Sequence, residues 1–443
     1  MIGVIILYPR RRKMPKRQVS LDVTQLDNFV YDMSRCIKCK GCYWVEHTYM
    51  PGVKFSTRCP SNTWNDFDAY GAFGKMRIGT AIAEGRLQWT PQLLEIIYAD
   101  PLCGACDVGC KRNLDLEIGL TLEALRIKAV KDGAGPMPAH KKVAQNILKT
   151  HNQFGAPHEN RKKWVTGDLR VAPKADVLYF VGCSASYTNP EIAKATAKIL
   201  NRSGTPFMLM PEEWCCGNTL YSVGMIDEAR ELARRNLEAV KQTGATTLVT
   251  SCAEGYRMWK VDYPKMLNIA TADLGFRVIH LVEFADEKMK QGTLRLTEKV
   301  DLRLTYHDSC GISRLCDSWT PWKGERGWMG TVSPALTRRR GKEGLYAQPR
   351  NILNSIPGVK LVEMPRMREN AFCCGAGRGT QEAFPKLASF SASRRLEEVR
   401  EVGAEALVSA CPWCKNNFTQ AVKENGDKIK VMDISEIISA SIR

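Results

Sequence analysis

The spacing of apolar residues changes character near residue 170. Before it, apolar side chains recur at helical intervals, as at Ile118, Leu122 and Leu125, and predict a largely helical region. After it, short apolar runs of strand length alternate with longer amphipathic stretches. Strand, helix, strand, helix, strand predicts a parallel sheet with crossover helices, so we expect an α/β fold behind a mostly helical front domain.

The alternating part is duplicated. In the first copy, strands are predicted at 177–181, 206–210 and 246–250, with helices at 191–204 and 225–244 between them. In the second copy, strands begin near 302, 359 and 405, with a helix before Pro357 and a long helix that ends near Gly403. Equivalent elements in the same order indicate an internal repeat.

The resulting organisation has five segments and one insertion. They are a flexible leader at 1–20, a front domain at 21–135, a linker at 136–170, a first module at 171–297, and a second module at 298–443 with an insertion at about 315–344. The apolar start is too short to span a bilayer, and its basic residues follow the apolar run instead of preceding it. No later stretch predicts a transmembrane helix.

Cysteine use narrows the chemistry. The chain has 443 residues and 17 cysteines, an odd number, and it lacks a signal peptide. A secreted disulfide framework is therefore disfavoured, and we expect reduced thiols in a cytoplasmic protein. In both copies the cysteines follow predicted strands, where open α/β sheets place their ligands.

The front domain carries two cysteine motifs. Cys36, Cys39 and Cys42 stand at successive two-residue gaps and are followed by Cys59-Pro60, and a second motif comes later. In two-cluster ferredoxins the distal cysteine of each motif serves the other cluster. By that rule one cluster is held by Cys36, Cys39, Cys42 and Cys110, and the other by Cys59, Cys103 and Cys106. Structural zinc is less compatible, because zinc sites usually present two separated pairs of ligands.

The second front set lacks one cysteine. Asp100 stands three positions before Cys103, where a cysteine is expected. Either this site has three cysteines and holds a three-iron cluster, or the Asp100 carboxylate completes a [4Fe-4S] cluster. The alternative is that Asp100 only caps a turn before Pro101.

The duplicated modules share a cysteine spacing. Cys215-Cys216-Gly217 follows Cys183 after 31 residues, and Cys252 follows after 35 more; in the second copy Cys411 follows Cys374 after 36. Two such triplets with matching flanks resemble the "CCG" cysteine-rich domain of heterodisulfide reductase and its relatives. The front domain resembles the small two-cubane subunit of the same enzyme.

This resemblance implies an unusual noncubane iron-sulfur cluster in the module. Family members reduce a disulfide or pass electrons within larger flavin-dependent complexes. The second copy offers five thiols, one more than a cubane needs, and is the expected seat of catalysis: Cys310, Cys373, Cys374, Cys411 and Cys414. Adjacent cysteines in extended chain point in opposite directions, which suits a split cluster, and Gly375 lets the backbone turn away at positive φ.

The first copy is depleted. Gly255 stands where the last cysteine is expected, so the first copy keeps Cys183, Cys215, Cys216 and Cys252. Four thiols hold an ordinary [4Fe-4S] cluster, an altered noncubane cluster or nothing. We expect a cluster that relays electrons.

Three further features of the second copy are open. The insertion carries Trp319, Trp322, Trp328 and the basic run 338–340. It is a candidate docking loop or lid. The alternative is a loop without a binding role that packs on its own tryptophans. Cys316 fits no spacing and is expected to be an idle buried thiol. His307 is close enough to Cys310 in sequence to donate a hydrogen bond or a proton near the cluster, or it is a structural histidine.

Net charge alters the partner prediction. The formal charge of +17 suggests nucleic acid, but no nucleic-acid motif is present, and bound clusters cancel part of the excess. An acidic protein partner is favoured. A flavin-bearing subunit is expected to supply electrons together with other iron-sulfur subunits, because this chain has no glycine-rich dinucleotide fingerprint of its own.

The leading hypothesis is an iron-sulfur subunit of a cytoplasmic, heterodisulfide-reductase-like complex in an anaerobe. Electrons enter at the front cubanes and reach the duplicated modules, which reduce a disulfide or a further partner. Two alternatives remain open. One is an iron-sulfur subunit of a 2-hydroxy acid or glycerol phosphate oxidoreductase, and the other is a pure relay to a strongly reducing enzyme such as an aromatic-acyl-CoA reductase.

Overall fold

The computed structural model describes residues 22–46, 48–50, 52–111, 114–326, 332–333 and 341–443. The expected leader at 1–20, Trp328 and the basic run at 338–340 lie outside the described residues. Within the described part, a helical front region precedes two α/β modules, so the expected fold class is confirmed. No helix in that part is both long enough and apolar enough to cross a membrane.

The front region and the linker are helical. Their helices are α1 (Val30–Arg35), α2 (Pro60–Asn65), α3 (Ala72–Ala83), α4 (Pro91–Tyr98), α5 (Ala105–Lys111), α6 (Ile118–Lys131) and α7 (Pro138–Thr150). Helix α6 is the one that the apolar spacing predicts, and it is buried along most of its length. Proline at the first helical position starts α2, α4 and α7, where its missing N–H costs no hydrogen bond.

The first module contains a four-stranded parallel sheet in the order β2-β1-β3-β4. Its strands are β1 (Val177–Phe180), β2 (Phe207–Leu209), β3 (Thr247–Thr250) and β4 (Arg277–His280). Its helices are α8 (Cys183–Tyr187), α9 (Pro190–Arg202), α10 (Asn218–Ser222), α11 (Ile226–Thr243), α12 (Ala253–Arg257), α13 (Tyr263–Leu267) and α14 (Leu281–Lys290). A short π-helical segment, Met258–Asp262, joins α12 to α13.

The second module repeats this topology. Its main strands are β5 (Leu302–His307), β8 (Val359–Leu361), β9 (Ala406–Ser409) and β10 (Lys430–Asp433), and a two-residue pair, β6 (Glu325–Arg326) and β7 (Val332–Ser333), lies in the insertion. Its helices are α15 (Ala347–Ser355), α16 (Thr380–Ala383), α17 (Pro385–Glu401), α18 (Pro412–Asn425) and α19 (Ile434–Ser441). The sheet order is β10-β9-β5-β8, which is the first sheet's order read from the other edge.

The fourth strand of each sheet was missed by the sequence analysis. Strands β4 and β10 are edge strands, each beginning with an exposed basic residue, Arg277 or Lys430. Edge strands β2 and β8 are predicted correctly, so the edge position is not the reason. Each missed strand runs directly into the next helix, α14 or α19, with no turn residue between them, so no local signal separates strand from helix.

Arg126 links the front region to the first module through hydrogen bonds. It is buried on α6 and donates hydrogen bonds to the carbonyls of Ile97, Tyr98 and Asp100 in the front region, and to that of Ser222 in the first module. An arginine has five donors and no acceptor, so it can satisfy several inward-facing carbonyls at once. The cysteine motifs of the different regions are thereby held in fixed relation.

Candidate functional site: a connected series of cysteine groups

All 17 cysteines lie in the described part of the chain, and none of them is in a disulfide. All except Cys316 collect in four groups that follow the sequence motifs. Cys39 is exposed, Cys106 and Cys216 are half-buried, and the other fourteen are buried. Buried cysteines outside disulfides in such numbers suit metal ligation better than packing alone.

The first front group forms because two backbones touch. A Cβ placed on Gly109 would lie 2.1 Å from the carbonyl oxygen of Gly41, so only glycine permits this approach of the two motifs. Burial raises the pKa of Cys42, and the neighbouring Cys59, Cys110 and Cys36 raise it further. Cys42 therefore has neighbours from both predicted front sets, and the division of ligands by the crossing rule stays a prediction. Exposure of Cys39 brings this group to the protein surface.

The second front group surrounds a buried ion pair. Asp100 Oδ2 lies 2.6 Å from Nζ of Lys75, which is fully buried, and Asp100 Oδ1 accepts a hydrogen bond from the Leu102 N–H. Burial favours the neutral acid, but Lys75 and Arg126 outweigh it and hold the pKa of Asp100 below its usual range. Burial raises the pKa values of Cys59 and Cys106, and the Asp100 carboxylate raises both further.

These contacts give Asp100 the turn-capping role of the alternative interpretation while leaving it beside the three thiols. Its role as a ligand stays a prediction. The sequence does not identify Lys75, because a single lysine on a helix belongs to no motif. Its side chain is 0% exposed because of how the helices pack against one another.

The front region contacts the second module through cysteine. The pKa of Cys103 falls to about 6, first because of a hydrogen bond with Cys373 and also because the Arg314 guanidinium is close. Arg314 is buried and donates to the carbonyls of Cys103 and Ala371, at 2.6 Å in both cases. A positive charge between two thiol groups favours thiolate, the form that binds iron.

The second module gathers its five thiols within the protein interior. Sγ of Cys374 lies 3.2 Å from Sγ of Cys414, and Cys373 interacts with both Cys310 and Cys374. Gly375 has φ +84°, as expected, and its N–H points to Sγ of Cys373 at 3.4 Å. Asn417 donates to the carbonyl of Cys374 at 2.6 Å and so fixes the turn.

His307 contacts this group, but not at the cysteine that the sequence suggested. Its ring nitrogen and the sulfurs of Cys374 and Cys414 lie within 4.8 Å of one another. The sequence places His307 three residues from Cys310, yet β5 ends at His307 and its side chain is directed to Cys374. Burial lowers the pKa of His307, and the neighbouring Cys374 acts in the opposite direction.

The first module gathers four thiols. A hydrogen bond with Cys215 raises the pKa of Cys183, and Nη2 of Arg161 lies 3.6 Å from Sγ of Cys183. Gly217 repeats the geometry of Gly375, with φ +76° and its N–H 3.4 Å from Sγ of Cys215. At the position of the missing cysteine, the Gly255 N–H points to Sγ of Cys252 at 3.5 Å.

The two modules meet at their cysteine edges. Cys252 of the first module and Cys411 of the second form a hydrogen bond that raises the pKa of Cys252 and lowers that of Cys411. Beside them, the buried Glu254 lies 3.2 Å from Nε of Arg378, which is fully buried. Neither Glu254 nor Arg378 belongs to a motif, and only the contact between modules identifies them.

A cavity of about 30 Å³ lies between the modules. The four cysteines of the first module line one side: Cys183, Cys215, Cys216 and Cys252. Ala376, Arg378 and Trp413 of the second module line the other. Residues of both modules therefore face one another across this cavity.

The donor set fits iron-sulfur clusters. Each of the four groups presents three to five thiols, and backbone N–H groups point at the sulfurs of Cys110, Cys215, Cys252 and Cys373 at 3.4 to 3.5 Å. Hydrogen bonds to the sulfurs tune the potentials of such clusters. Zinc sites use four ligands each, which does not account for five thiols in one group.

The insertion is anchored where it is described. Trp319 is 8% exposed and packs in the apolar core of the front region. Cys316 is fully buried, and its sulfur lies 3.2 Å from the carbonyl oxygens of Ile312 and Ser313. These contacts agree with an idle thiol in a packed loop; docking by the rest of the insertion stays a prediction.

The comparisons identify the repeated unit. A model of the CCG cysteine-rich domain matches residues 177–258 and 336–419, two copies in one chain. The first match contains all four cysteines of the first module. The second contains Cys373, Cys374, Cys411 and Cys414 but begins after Cys310.

The similarity to complete proteins extends over nearly the whole chain. A subunit of the dihydromethanophenazine:CoB–CoM heterodisulfide reductase from Methanosarcina acetivorans is 30% identical over 440 residues, covering 97% of this chain and 99% of that protein. A subunit of the fumarate reductase (CoM/CoB) from Methanothermobacter marburgensis is 26% identical and covers 91% and 71% respectively. A probable iron-sulfur-binding oxidoreductase, FadF, from Bacillus subtilis is 26% identical and covers 82% and 50%.

Proposed function

Because this chain belongs to the CCG-domain family of heterodisulfide reductase subunits and is an iron-sulfur subunit with two such domains, we propose that it transfers electrons within a heterodisulfide-reductase-type complex. A flavin-bearing partner would supply the electrons at the front region, and the modules would deliver them to a disulfide or to a further partner. When bound, the clusters supply one-electron carriers; the chain's residues hold and orient them.

The observation that carries this proposal is the series of neighbouring cysteine groups. Cys39 provides an exposed edge at the front, Cys103 and Cys373 of the second module shift each other's pKa, and Cys411 and Cys252 of the first do the same. Arg314 of the second module donates to the carbonyl of Cys103 at 2.6 Å, and Sγ of Cys310 lies 3.9 Å from Oε1 of Glu254 in the first module. Electron transfer needs closely spaced sites in a water-poor interior, and this series meets both conditions. The spatial order, front, then second module, then first module, differs from the order along the chain.

We further assign the cluster types. Cys36, Cys39, Cys42 and Cys110 would hold a [4Fe-4S] cluster. Cys59, Cys103 and Cys106 would hold a [3Fe-4S] cluster, or a [4Fe-4S] cluster if Asp100 is a ligand. The five thiols of the second module would hold a noncubane [4Fe-4S] cluster, because one thiol exceeds the needs of a cubane. The four thiols of the first module match an ordinary [4Fe-4S] cluster.

Iron analysis and spectroscopy test these assignments. Protein purified without oxygen should contain about 15 to 16 irons per chain if all four groups are filled. A three-iron cluster would give an electron paramagnetic resonance (EPR) signal in the oxidised protein, whereas an oxidised cubane would not. Iron at the level of the front groups alone would refute metal binding by the modules.

The terminal step would take place at the cavity between the modules. Reduction of a disulfide to two thiols consumes two electrons and two protons. The buried pair of Glu254 and Arg378 and the edge of Trp413 would border the reacting sulfurs. Mixing the reduced protein anaerobically with a thiol disulfide should reoxidise it rapidly, which rapid-mixing absorbance would record together with the thiols formed.

A pure relay is the second candidate. In the described conformation the cavity of about 30 Å³ admits only a few water molecules, so a disulfide substrate would have to widen it, and this favours a relay. If reduced protein ignores disulfides but is reoxidised quickly by a partner that purifies with it, the relay is correct and the disulfide step is not.

A further inference from the structure

His307 is buried and hydrogen-bonded beside the second-module cysteines. It ends β5, is 1% exposed, and packs edge to face on Phe418 with ring centroids 4.9 Å apart. Nε of Arg395 lies 3.3 Å from Nδ1 of the histidine. A ring nitrogen and the sulfurs of Cys374 and Cys414 lie within 4.8 Å of one another.

Arg395 determines which ring nitrogen carries the proton. Arginine only donates hydrogen bonds, so Nδ1 of His307 must accept with its lone pair. A neutral imidazole has one N–H, which must then be at Nε2. Doubly protonated imidazole is excluded in this arrangement, because two N–H groups would face each other.

Arg395 itself cannot turn away easily. It is fully buried, donates to the carbonyl of Arg366 at 2.6 Å, and pairs with the fully buried Glu398 at 2.8 Å. The same carboxylate is held by Arg366 at 2.6 Å. These charged contacts fix the guanidinium, and through it the tautomer of His307.

We propose that His307 donates an Nε2–H hydrogen bond to the sulfur of Cys374 and is a positioning residue for the second-module cluster, not an iron ligand. The inference rests on the proposed function. An iron ligand would need the lone pair at Nε2 and the proton at Nδ1, where it would oppose the Arg395 N–H.

The hydrogen bond is specific to the second module. Three residues before the leading cysteine, the second copy has His307 and the first copy has Phe180. A donor to a ligand sulfur withdraws charge from the cluster and stabilises its reduced form, which raises the reduction potential. His307 therefore makes the second-module group easier to reduce than it would be with phenylalanine.

Two variants of the full chain test this. His307→Leu removes the donor and should shift the potential of the second-module signal to a more negative value in an EPR-monitored redox titration, with iron content unchanged. His307→Gln places an amide N–H near the former Nε2 and should restore most of the potential. An unchanged potential in His307→Leu, or loss of iron from it, would overturn the proposal.

A measurement on the unmodified chain is independent of whether the variants fold. With ¹⁵N-labelled histidine, pulsed EPR of the reduced protein should show only the weak coupling of a hydrogen-bonded nitrogen. A strong coupling typical of an iron-bound nitrogen would overturn the proposal. If wild-type protein shows no second-module cluster at all, the proposed function fails instead, and the two failures are distinguishable.

Arg395→Met provides the matched test of the tautomer. The variant leaves Glu398 paired with Arg366, and it leaves His307 in place but frees Nδ1. We expect a shift in the same direction as in His307→Leu but smaller, because the ring then exchanges between two tautomers. A wild-type potential in Arg395→Met would show that Arg395 does not control the donor.

Discussion

The two cysteine-rich modules have one topology and two different environments for their sulfurs. In the second module five buried thiols lie between neighbours, with Cys103 of the front region on one side and Cys252 of the first module on the other. In the first module four thiols border the cavity, and Cys216 is half-buried. The two modules therefore share one fold, but they differ in the number of cysteines, in the groups near the sulfurs and in the exposure of the sulfurs.

Equivalent positions show how the two environments diverged. Phe180 corresponds to His307, and Gly255 corresponds to Cys414. The N-cap of the last helix is His280 in the first module and Asp433 in the second, each with a capping box. The second module contacts both the front region and the first module, although it comes last in the chain.

The largest expected effect is loss of a cluster. Cys374→Ser removes a sulfur in contact with Cys414 and His307, and should remove about four irons per chain together with the second-module EPR signal. Cys316→Ser is the control, because Cys316 is buried outside every group, and it should keep its iron. Equal iron in both variants would contradict the assignment of the second-module site.

The next effect concerns the interface between modules. Arg378→Met removes the arginine that pairs with the buried Glu254 and donates to the Leu102 carbonyl, and should lower the free energy of unfolding by about 3 to 5 kcal/mol. Arg277→Met breaks the exposed pair with Glu287 and should cost less than about 1 kcal/mol. Anaerobic denaturant unfolding measures both; similar losses would mean that the modules do not depend on the buried pair.

A smaller effect distinguishes the two N-cap residues, Asp433 and His280, by the way stability changes with pH. Burial raises the pKa of Asp433 to about 7, so the native state holds a proton that the unfolded chain releases. Stability from this group is complete below about pH 4 and is lost as pH rises through 7. Between pH 5.5 and 7.5 wild type should lose up to about 2 kcal/mol more than Asp433→Asn, as measured by denaturant unfolding.

The first-module cap has the opposite sign. Burial lowers the pKa of His280 to about 4, so its stabilisation is complete above about pH 6.5 and is lost as pH falls through 4. His280→Asn should therefore reduce the loss of unfolding free energy between about pH 6.5 and 4. Its dependence on pH near neutrality should remain that of the wild type. If Asp433→Asn keeps the wild-type slope, Asp433 is not the titrating group.

The smallest effect on stability comes from restoring the missing thiol. A Cβ on Gly255 would lie 3.5 Å from Oγ1 of Thr250 and 3.9 Å from Sγ of Cys252, both ordinary contacts. Gly255→Cys should change the free energy of unfolding by less than about 1 kcal/mol, because glycine is already a poor residue for a helix. It should change the EPR signal of the first module, whereas Gly255→Ala should not.

Local sequence was enough to specify the ligand chemistry and the repeat. Cysteine spacing is local, so two CCG triplets and the front motifs specified iron-sulfur binding, and the alternation of apolar runs specified two parallel sheets. The position of Gly375 in the triplet was enough to predict its positive φ. The edge strands β4 and β10 and the role of Asp100 were not specified in this way.

Which groups meet depends on the packing of distant parts of the chain. Cys103 and Cys373 are 270 positions apart, and nothing local to either predicts their contact. The same holds for Lys75 beside Asp100, and for His307, which faces Cys374 and not the nearby Cys310. Packing brings these side chains together, because burying a charge or a thiol requires a partner that the fold supplies from elsewhere in the chain.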